Sequence, residues 1–302
     1  MKLVVSAAPH IRDKISTKTM MRDVVIALLP ATIVGVYLFG LKALISVITS
    51  MIAAVLTEII ILKIRRKKIT SEDLSSALVT GLLLALCLSS ALPWWMVALG
   101  AFFAIAIAKQ TFGGLGYNIF NPALAGRAFL TASWPVLMTT WLQPFSAVTT
   151  ATPLALAKSN LLVPDYWNLF LGIRAGSIGE TSILALLIGV IYLFFRKTID
   201  WQIPLTFIGT VVLGTIIFGR DPVFHLLSGG LILGAFYMAT DPVTAPVTQR
   251  GRWIFGFGCG LITVIIRLLG GYPEGVCYAI LIMNAATPLL ERLTLPRRFG
   301  KK

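Results

Sequence analysis

Between residues 24 and 290 the sequence is a succession of apolar runs, each ended by a turn, a proline or a basic cluster. A helix needs about 20 apolar residues to cross ~30 Å of hydrocarbon. The runs cover 24–40, 43–62, 76–92, 94–108, 117–138, 180–195, 203–219, 222–239, 254–269 and 275–290. They predict ten spans. Only 13% of the 302 residues are charged and 57% are hydrophobic, too much apolar surface for a water-soluble core of this size. Soluble enzymes, secreted disulfide scaffolds and disordered tails are excluded.

The net charge of +14 would point to nucleic acid in a soluble chain. Position gives another reading, because membrane proteins concentrate Lys and Arg on the cytoplasmic side. With residue 1 inside and sides alternating, twenty basic residues fall inside and three outside. The inside set includes Lys109 and the clusters in 1–23, 63–68 and 292–302. The outside set is Lys42, Lys158 and Arg220, while Arg127, Arg174 and Arg267 lie within or beside spans. No nucleic-acid partner is needed to explain the charge. Both termini are expected to be cytoplasmic, and 1–23 reads as a cytoplasmic or interfacial segment and not as a cleaved signal peptide.

Ten spans divide into two sets of five, and an odd repeat inverts its second copy. Gly81 and Pro93 match Gly230 and Pro242 at one offset. Gly113-Gly114 before the fifth span resembles Gly270-Gly271 before the tenth. The expected fold is an all-α integral membrane protein of about ten transmembrane helices, in two inverted five-helix repeats with broken or re-entrant segments. The chain then reads as one membrane domain: an N-terminal segment 1–23, a first half 24–138, an outer loop 139–179, a second half 180–291 and a basic tail 292–302.

Four segments carry candidate chemistry. In Phe112–Phe129, three glycines within four positions allow backbone to approach a ligand, and Asn121-Pro122 interrupts a span. Arg127 inside a span marks a functional or paired site. In Val148–Leu154, a threonine-rich turn ends before Pro153. Its hydroxyls do not titrate near pH 7, but they offer oxygen for covalent modification. In Gly176–Ser182, Ser177, Thr181 and Ser182 can each cap the helix that follows, and Glu180 suits its dipole. In Met238–Pro246, Asp241 before Pro242 makes a turn and sets an acid where a cation could meet it. The cysteines Cys87, Cys259 and Cys277 are dispersed in apolar runs and read as packed thiols.

Together these segments resemble the RnfD family, the D-type membrane component of Rnf-type ion-translocating oxidoreductases, and the related B-type component of sodium-translocating NADH:quinone reductase. Gly-Gly-Leu-Gly-Tyr-Asn-Ile-Phe-Asn-Pro-Ala and Met-Ala-Thr-Asp-Pro-Val-Thr-Ala-Pro carry most of the resemblance. The length favours the Rnf type. The resemblance implies an electron-carrying membrane subunit of a translocase coupling ferredoxin and NAD⁺ to Na⁺ or H⁺ transport. It implies FMN joined by a phosphoester to the last threonine of a Ser/Thr-Gly-Ala-Thr motif. That threonine falls on Thr152, and Thr150 stands where glycine is common. It also implies a second, non-covalent flavin, riboflavin or FMN, within the membrane.

Asn118, Asn121 and Arg127 are the expected contacts of the second flavin, because buried ring carbonyls and nitrogens need donors. Gly179, Glu180 and Thr181 complete the candidate cofactor-binding set. Arg127 has two other expected partners, Glu180 and the phosphate on Thr152. Implied partners are the other membrane and peripheral subunits, among them a second flavin-carrying subunit on the outer side and iron–sulfur subunits, and a flavin transferase for maturation. The implied location is a bacterial or archaeal cytoplasmic membrane. The competing reading is a secondary transporter or channel for a small solute, which would have no reason to modify Thr152.

Overall fold

The computed structural model describes residues 16–146, 148–159 and 165–295; the N-terminal residues 1–15 and most of the basic tail lie outside them. The helices are α1 (Thr17–Phe39), α2 (Leu41–Ile64), α3 (Ser71–Leu86), α4 (Trp94–Ile105), α5 (Pro122–Ser133), α6 (Pro135–Met138), α7 (Pro153–Lys158), α8 (Tyr166–Leu171), α9 (Ile183–Phe195), α10 (Gln202–Ile217), α11 (Pro222–Leu227), α12 (Leu231–Leu233), α13 (Gln249–Leu268) and α14 (Val276–Thr294). Helix α4 runs on as a π-helix over Ala106–Gln110, and α12 over Gly234–Met238. The strands β1 (Trp141–Leu142) and β2 (Thr149–Thr150) pair antiparallel, Trp141 opposite Thr150.

Helix starts follow local chemistry. Asn121, Thr152 and Asp221 each precede a proline, stay extended, and cap the following helix with a side-chain oxygen. Proline at the first helical position lacks an N–H that would have no intrahelical partner, and it fixes φ for the helix. Thr70 and Asp73 form a reciprocal capping box at α3. The break between α11 and α12 falls where Gly229 adopts φ 71°, a left-handed conformation that favours glycine.

Among the described residues four helices, α1, α2, α13 and α14, are long and apolar enough to cross a membrane. Helix α4 with its π extension, α9 and α10 are shorter apolar helices. Large apolar side chains such as Tyr37, Phe195 and Ile217 are 73%, 83% and 79% exposed, so these faces need a non-aqueous surrounding. The chain is a membrane protein.

Several expected boundaries shift. Residues 17–23 are continuous with α1: Ser16 caps the helix, and buried Asp23 accepts a hydrogen bond from Arg196 Nε at 3.0 Å. The run 117–138 is not one helix: coil to Asn121 precedes α5, and Pro135 separates it from α6. The run 222–239 is interrupted at residues 228–230. Residues 139–179 carry the β1–β2 hairpin, α7 and α8, ordered by backbone pairing that the sequence pattern hides.

Helix α2 packs on α3 and α4, and α4 on α5. Helix α10 packs on α11 and α13, and α13 on α14. Helix α1 lies against α9, and α5 against α14. Small residues permit these approaches. A Cβ at Gly189 of α9 would lie 1.9 Å from the carbonyl oxygen of Ala27 in α1.

Candidate functional site

Two cavities lie at opposite ends of α5. The first, about 120 Å³, is built around Thr152. The β1–β2 pairing brings Trp141 beside the strand that leads into Ala151 and Thr152. Thr152 is 4% exposed, and its Oγ1 accepts the Ala155 N–H at 3.3 Å, capping α7. Facing it across the cavity are Arg127 and Thr131 of α5, and Tyr272, Glu274 and Tyr278 from the start of α14 and the turn before it. Arg127 Nη2 meets Glu274 Oε2 at 2.5 Å. The wall therefore joins threonine hydroxyls, an ion pair and three aromatic rings.

The second cavity, about 70 Å³, opens between α1, α3, the start of α5 and the turn after α12. Asn118, Asn121, Lys109, Tyr237, Thr240 and Asp241 line it. Asn121 is largely committed to the fold. Its Oδ1 accepts the N–H groups of Ala123 and Leu124, and its Nδ2 donates to Met238 O at 3.2 Å. Asn118 donates once, to Phe120 O at 3.2 Å. Asp241 accepts from Val243 N–H and the Thr244 hydroxyl, both at 3.2 Å. Burial pushes its carboxyl above the ordinary carboxylate range, and those two bonds oppose the shift.

The predicted site residues thus separate. Asn118 and Asn121 face one cavity and Arg127 the other, because α5 advances ~9 Å between residues 121 and 127. Arg127 pairs with Glu274, and not with Glu180. Thr150 sits exposed in β2, adjacent to the Thr152 cavity but outside its wall. Gly179, Glu180 and Thr181 lie in neither wall. Gly179 donates its N–H to Leu86 O at 2.8 Å, and Thr181 donates to Ile178 O. The carboxylate of Glu180 accepts the Ser177 N–H at 3.1 Å. Of the predicted caps in this segment, Ser182 fills the role at α9. Gly113, Gly114 and Gly116 have φ of 134°, 103° and 87°, and they turn the chain from α4 toward α5 without lining a cavity.

Sequence reasoning missed one buried ion pair. Lys109, counted there among cytoplasmic charges, is 1% exposed and donates to Glu58 Oε1 at 2.9 Å. Gln110 Nε2 donates to the same oxygen at 2.8 Å. A lone Glu58 inside an apolar run was the available signal. The thiols of Cys87, Cys259 and Cys277 are all buried, as the sequence predicts.

A sequence profile of the NQR2, RnfD, RnfE family matches residues 4–300. The chain belongs to this family. It is 51% identical to the D-type component of the proton-translocating ferredoxin:NAD(+) oxidoreductase complex of Clostridium ljungdahlii, over 99% of this chain and 96% of the relative. It is 52% identical to the D-type component of the Na(+)-translocating ferredoxin:NAD(+) oxidoreductase complex of Acetobacterium woodii, with the same coverage. A more distant relative, the D-type component of the ion-translocating oxidoreductase complex of Escherichia coli, is 37% identical over 99% of this chain and 98% of its own length. Both cavities and the Lys109–Glu58 pair fall inside the span matched by the NQR2, RnfD, RnfE profile.

Proposed function

We propose that the chain is the D-type membrane component of an Rnf-like complex. It carries electrons between a flavin held covalently at Thr152 and a second flavin at the Asn118–Asn121 cavity, coupled to ion transport. The observation that carries this reading is the pair of cavities at opposite ends of α5, one walled by a buried threonine hydroxyl and the other by two asparagines. The family relationship supplies the complex. Two relatives of nearly equal identity carry names with different ions, so similarity alone does not choose between Na⁺ and H⁺.

The residues fit an FMN phosphoester. Thr152 Oγ1 lies at a cavity wall, Arg127 gives a cation for phosphate, and Trp141, Tyr272 and Tyr278 give apolar faces for a flat ring. When bound, the flavin supplies the redox chemistry, while the protein supplies position and electrostatics. Arg127 would hold the phosphate, with Glu274 limiting its swing. At the second cavity, Asn118 has an amide hydrogen left to donate, whereas Asn121 positions the wall by capping α5.

The ten-span, two-repeat reading is supported by packing. The contacts of α2 with α3 and α4, and of α4 with α5, recur as α10 with α11 and α13, and α13 with α14. The first helices of the halves, α1 and α9, pair with each other, as do the last, α5 and α14. The Gly81–Gly230 match is weaker support: Gly81 lets α3 approach α2 near Ser50, whereas Gly230 lies against Glu180. The Thr152 end is the outer one in this reading, with partner proteins of the complex docking on both faces of the membrane.

Intact mass of the protein from its native host tests the attachment. An increment of one FMN, lost in Thr152→Ala, is expected; an unchanged mass in flavin-sufficient cells would refute it. For the second flavin, Asn118→Leu and Asn121→Leu complexes should retain only the covalent flavin. Two flavins with unshifted potentials in both variants would place the second site elsewhere.

A further inference from the structure

Two stretches that wall the asparagine cavity come from different halves of the chain, and each interrupts an apolar run. One is residues 118–121, leading into α5; the other is the turn 239–244, which follows the π-helix after α12. An interruption inside an apolar region frees backbone groups, and each then needs a partner. The Asn121 N–H and the Thr244 carbonyl are two such groups, and both residues are buried. Each finds a partner on the same side chain, Asn284 in the middle of α14.

Asn284 is 0% exposed. Its Oδ1 accepts the Asn121 N–H at 3.1 Å, and its Nδ2 donates to the Thr244 carbonyl at 3.3 Å. The two bonds fix which way the amide faces, since its oxygen only accepts and its nitrogen only donates. Among the described residues, no other side chain outside the two stretches bonds to both. Thr287, one turn further along α14, donates to Thr244 O at 3.0 Å but bonds nothing on the Asn121 side. Helix α14 is close to both neighbours: Cys277 Sγ lies 3.5 Å from Leu124 O in α5, and Val276 leaves no room for a Cβ at Gly234 of the π-helix. A buried amide that bridges two elements in this way is a fixed spacer, because breaking either bond strands a polar group away from water.

We infer that Asn284 is a positioning residue for the asparagine cavity: without lining it, Asn284 sets the spacing between the Asn118–Asn121 wall and the Thr240–Asp241 wall. This rests on the second-flavin reading. Asn118 has an amide hydrogen left to give a ring carbonyl, and such a bond weakens steeply with poor angle and distance. A donor held beside the ring favours the charge that arrives with electrons. Holding the walls at one spacing therefore holds both the affinity for the ring and its potential. Leucine matches the shape of asparagine but carries neither group, and a serine hydroxyl is too short to span both partners.

The test compares whole complexes of wild type, Asn284→Leu, Asn284→Ser and Thr287→Val. Thr287→Val is the control: it removes a bond to the same Thr244 carbonyl and leaves the bridge in place. In equilibrium dialysis both Asn284 variants should hold the second flavin about tenfold more weakly. The midpoint potential of the second flavin that they retain should fall. The covalent flavin should keep its potential in every variant, and Thr287→Val should keep both potentials and both flavins. If Asn284→Leu does not assemble, Asn284→Ser, which leaves one partner bonded, carries the same expectation. Unchanged retention and potential in the assembled Asn284 variants, or an equal loss in Thr287→Val, would overturn the positioning role while leaving the second flavin in place. A wild-type complex whose D-type component holds only the covalent flavin would overturn the second-flavin reading, and this inference with it.

Discussion

Lys109 Nζ and Glu58 Oε1 meet at 2.9 Å in a place where neither side chain reaches solvent. The π-helix over Ala106–Gln110 sets Lys109 and Gln110, adjacent in sequence, on one carboxylate. A widened turn of this kind recurs at functional positions in helices. The second carboxylate oxygen of Glu58 has no partner among the described residues.

Breaking the pair should be far worse than removing it. Glu58→Gln or Lys109→Met alone leaves one buried charge, at a cost of about 3–5 kcal/mol. The double variant Glu58→Gln/Lys109→Met should recover most of that loss. Thermal unfolding of the four purified complexes measures the coupling. Additive losses would mean that the two groups do not depend on each other.

A cysteine at Lys158 should label from the outside of intact cells, and one at Gln249 should not. Background is low because Cys87, Cys259 and Cys277 are buried. The reverse pattern would invert the topology and move Thr152 to the cytoplasmic side.

Asp241 gives a pH dependence of known sign. Burial raises its carboxyl in the fold above the unfolded value near ~3.9. The folded protein therefore holds this proton more tightly than the unfolded chain. The group's stabilisation is complete below the unfolded value and is lost as pH rises through the folded one. From about pH 4 upward, wild type should lose thermal stability relative to Asp241→Asn. Parallel curves would mean that the carboxylate is solvated at its site.

Gly189→Ala should be severe. Its Cβ would lie 1.9 Å from Ala27 O and 2.2 Å from the Tyr237 hydroxyl, forcing α1 from α9. Overpacking of this kind costs at least about 1–3 kcal/mol. Gly219→Ala, with φ 63° and open space around it, should lose only the ~1–2 kcal/mol of left-handed strain. Folded yield and melting temperature compare them. A milder Gly189→Ala would mean that the α1–α9 seam is loose.

The membrane character was legible because composition carries it, and the threonine-rich turn before Pro153 was legible because a short motif carries it locally. The grouping of Asn118, Asn121 and Arg127 was not. Sequence proximity places them in one segment, but α5 rises between them and turns Arg127 to the other cavity. Glu274 was invisible as a partner because 147 residues separate it from Arg127. Lys109 read as a loop charge because the π-helix that buries it leaves no mark in the apolar periodicity. Pro135 and Gly229 were visible as residues, but their effect in dividing apolar runs depends on neighbouring packing.

Helix α5 contributes Asn121, Pro122 and Ala123 to one cavity and Arg127 and Thr131 to the other. It is a single rod of 12 residues with no break between those walls. Any ligand that tilts or slides the rod at one end changes the affinity for a ligand at the other, and thermodynamic linkage makes that influence equal in both directions. A ligand in the asparagine cavity that displaced this rod would change the affinity of the threonine cavity for its own ligand, and the reverse effect would have the same factor.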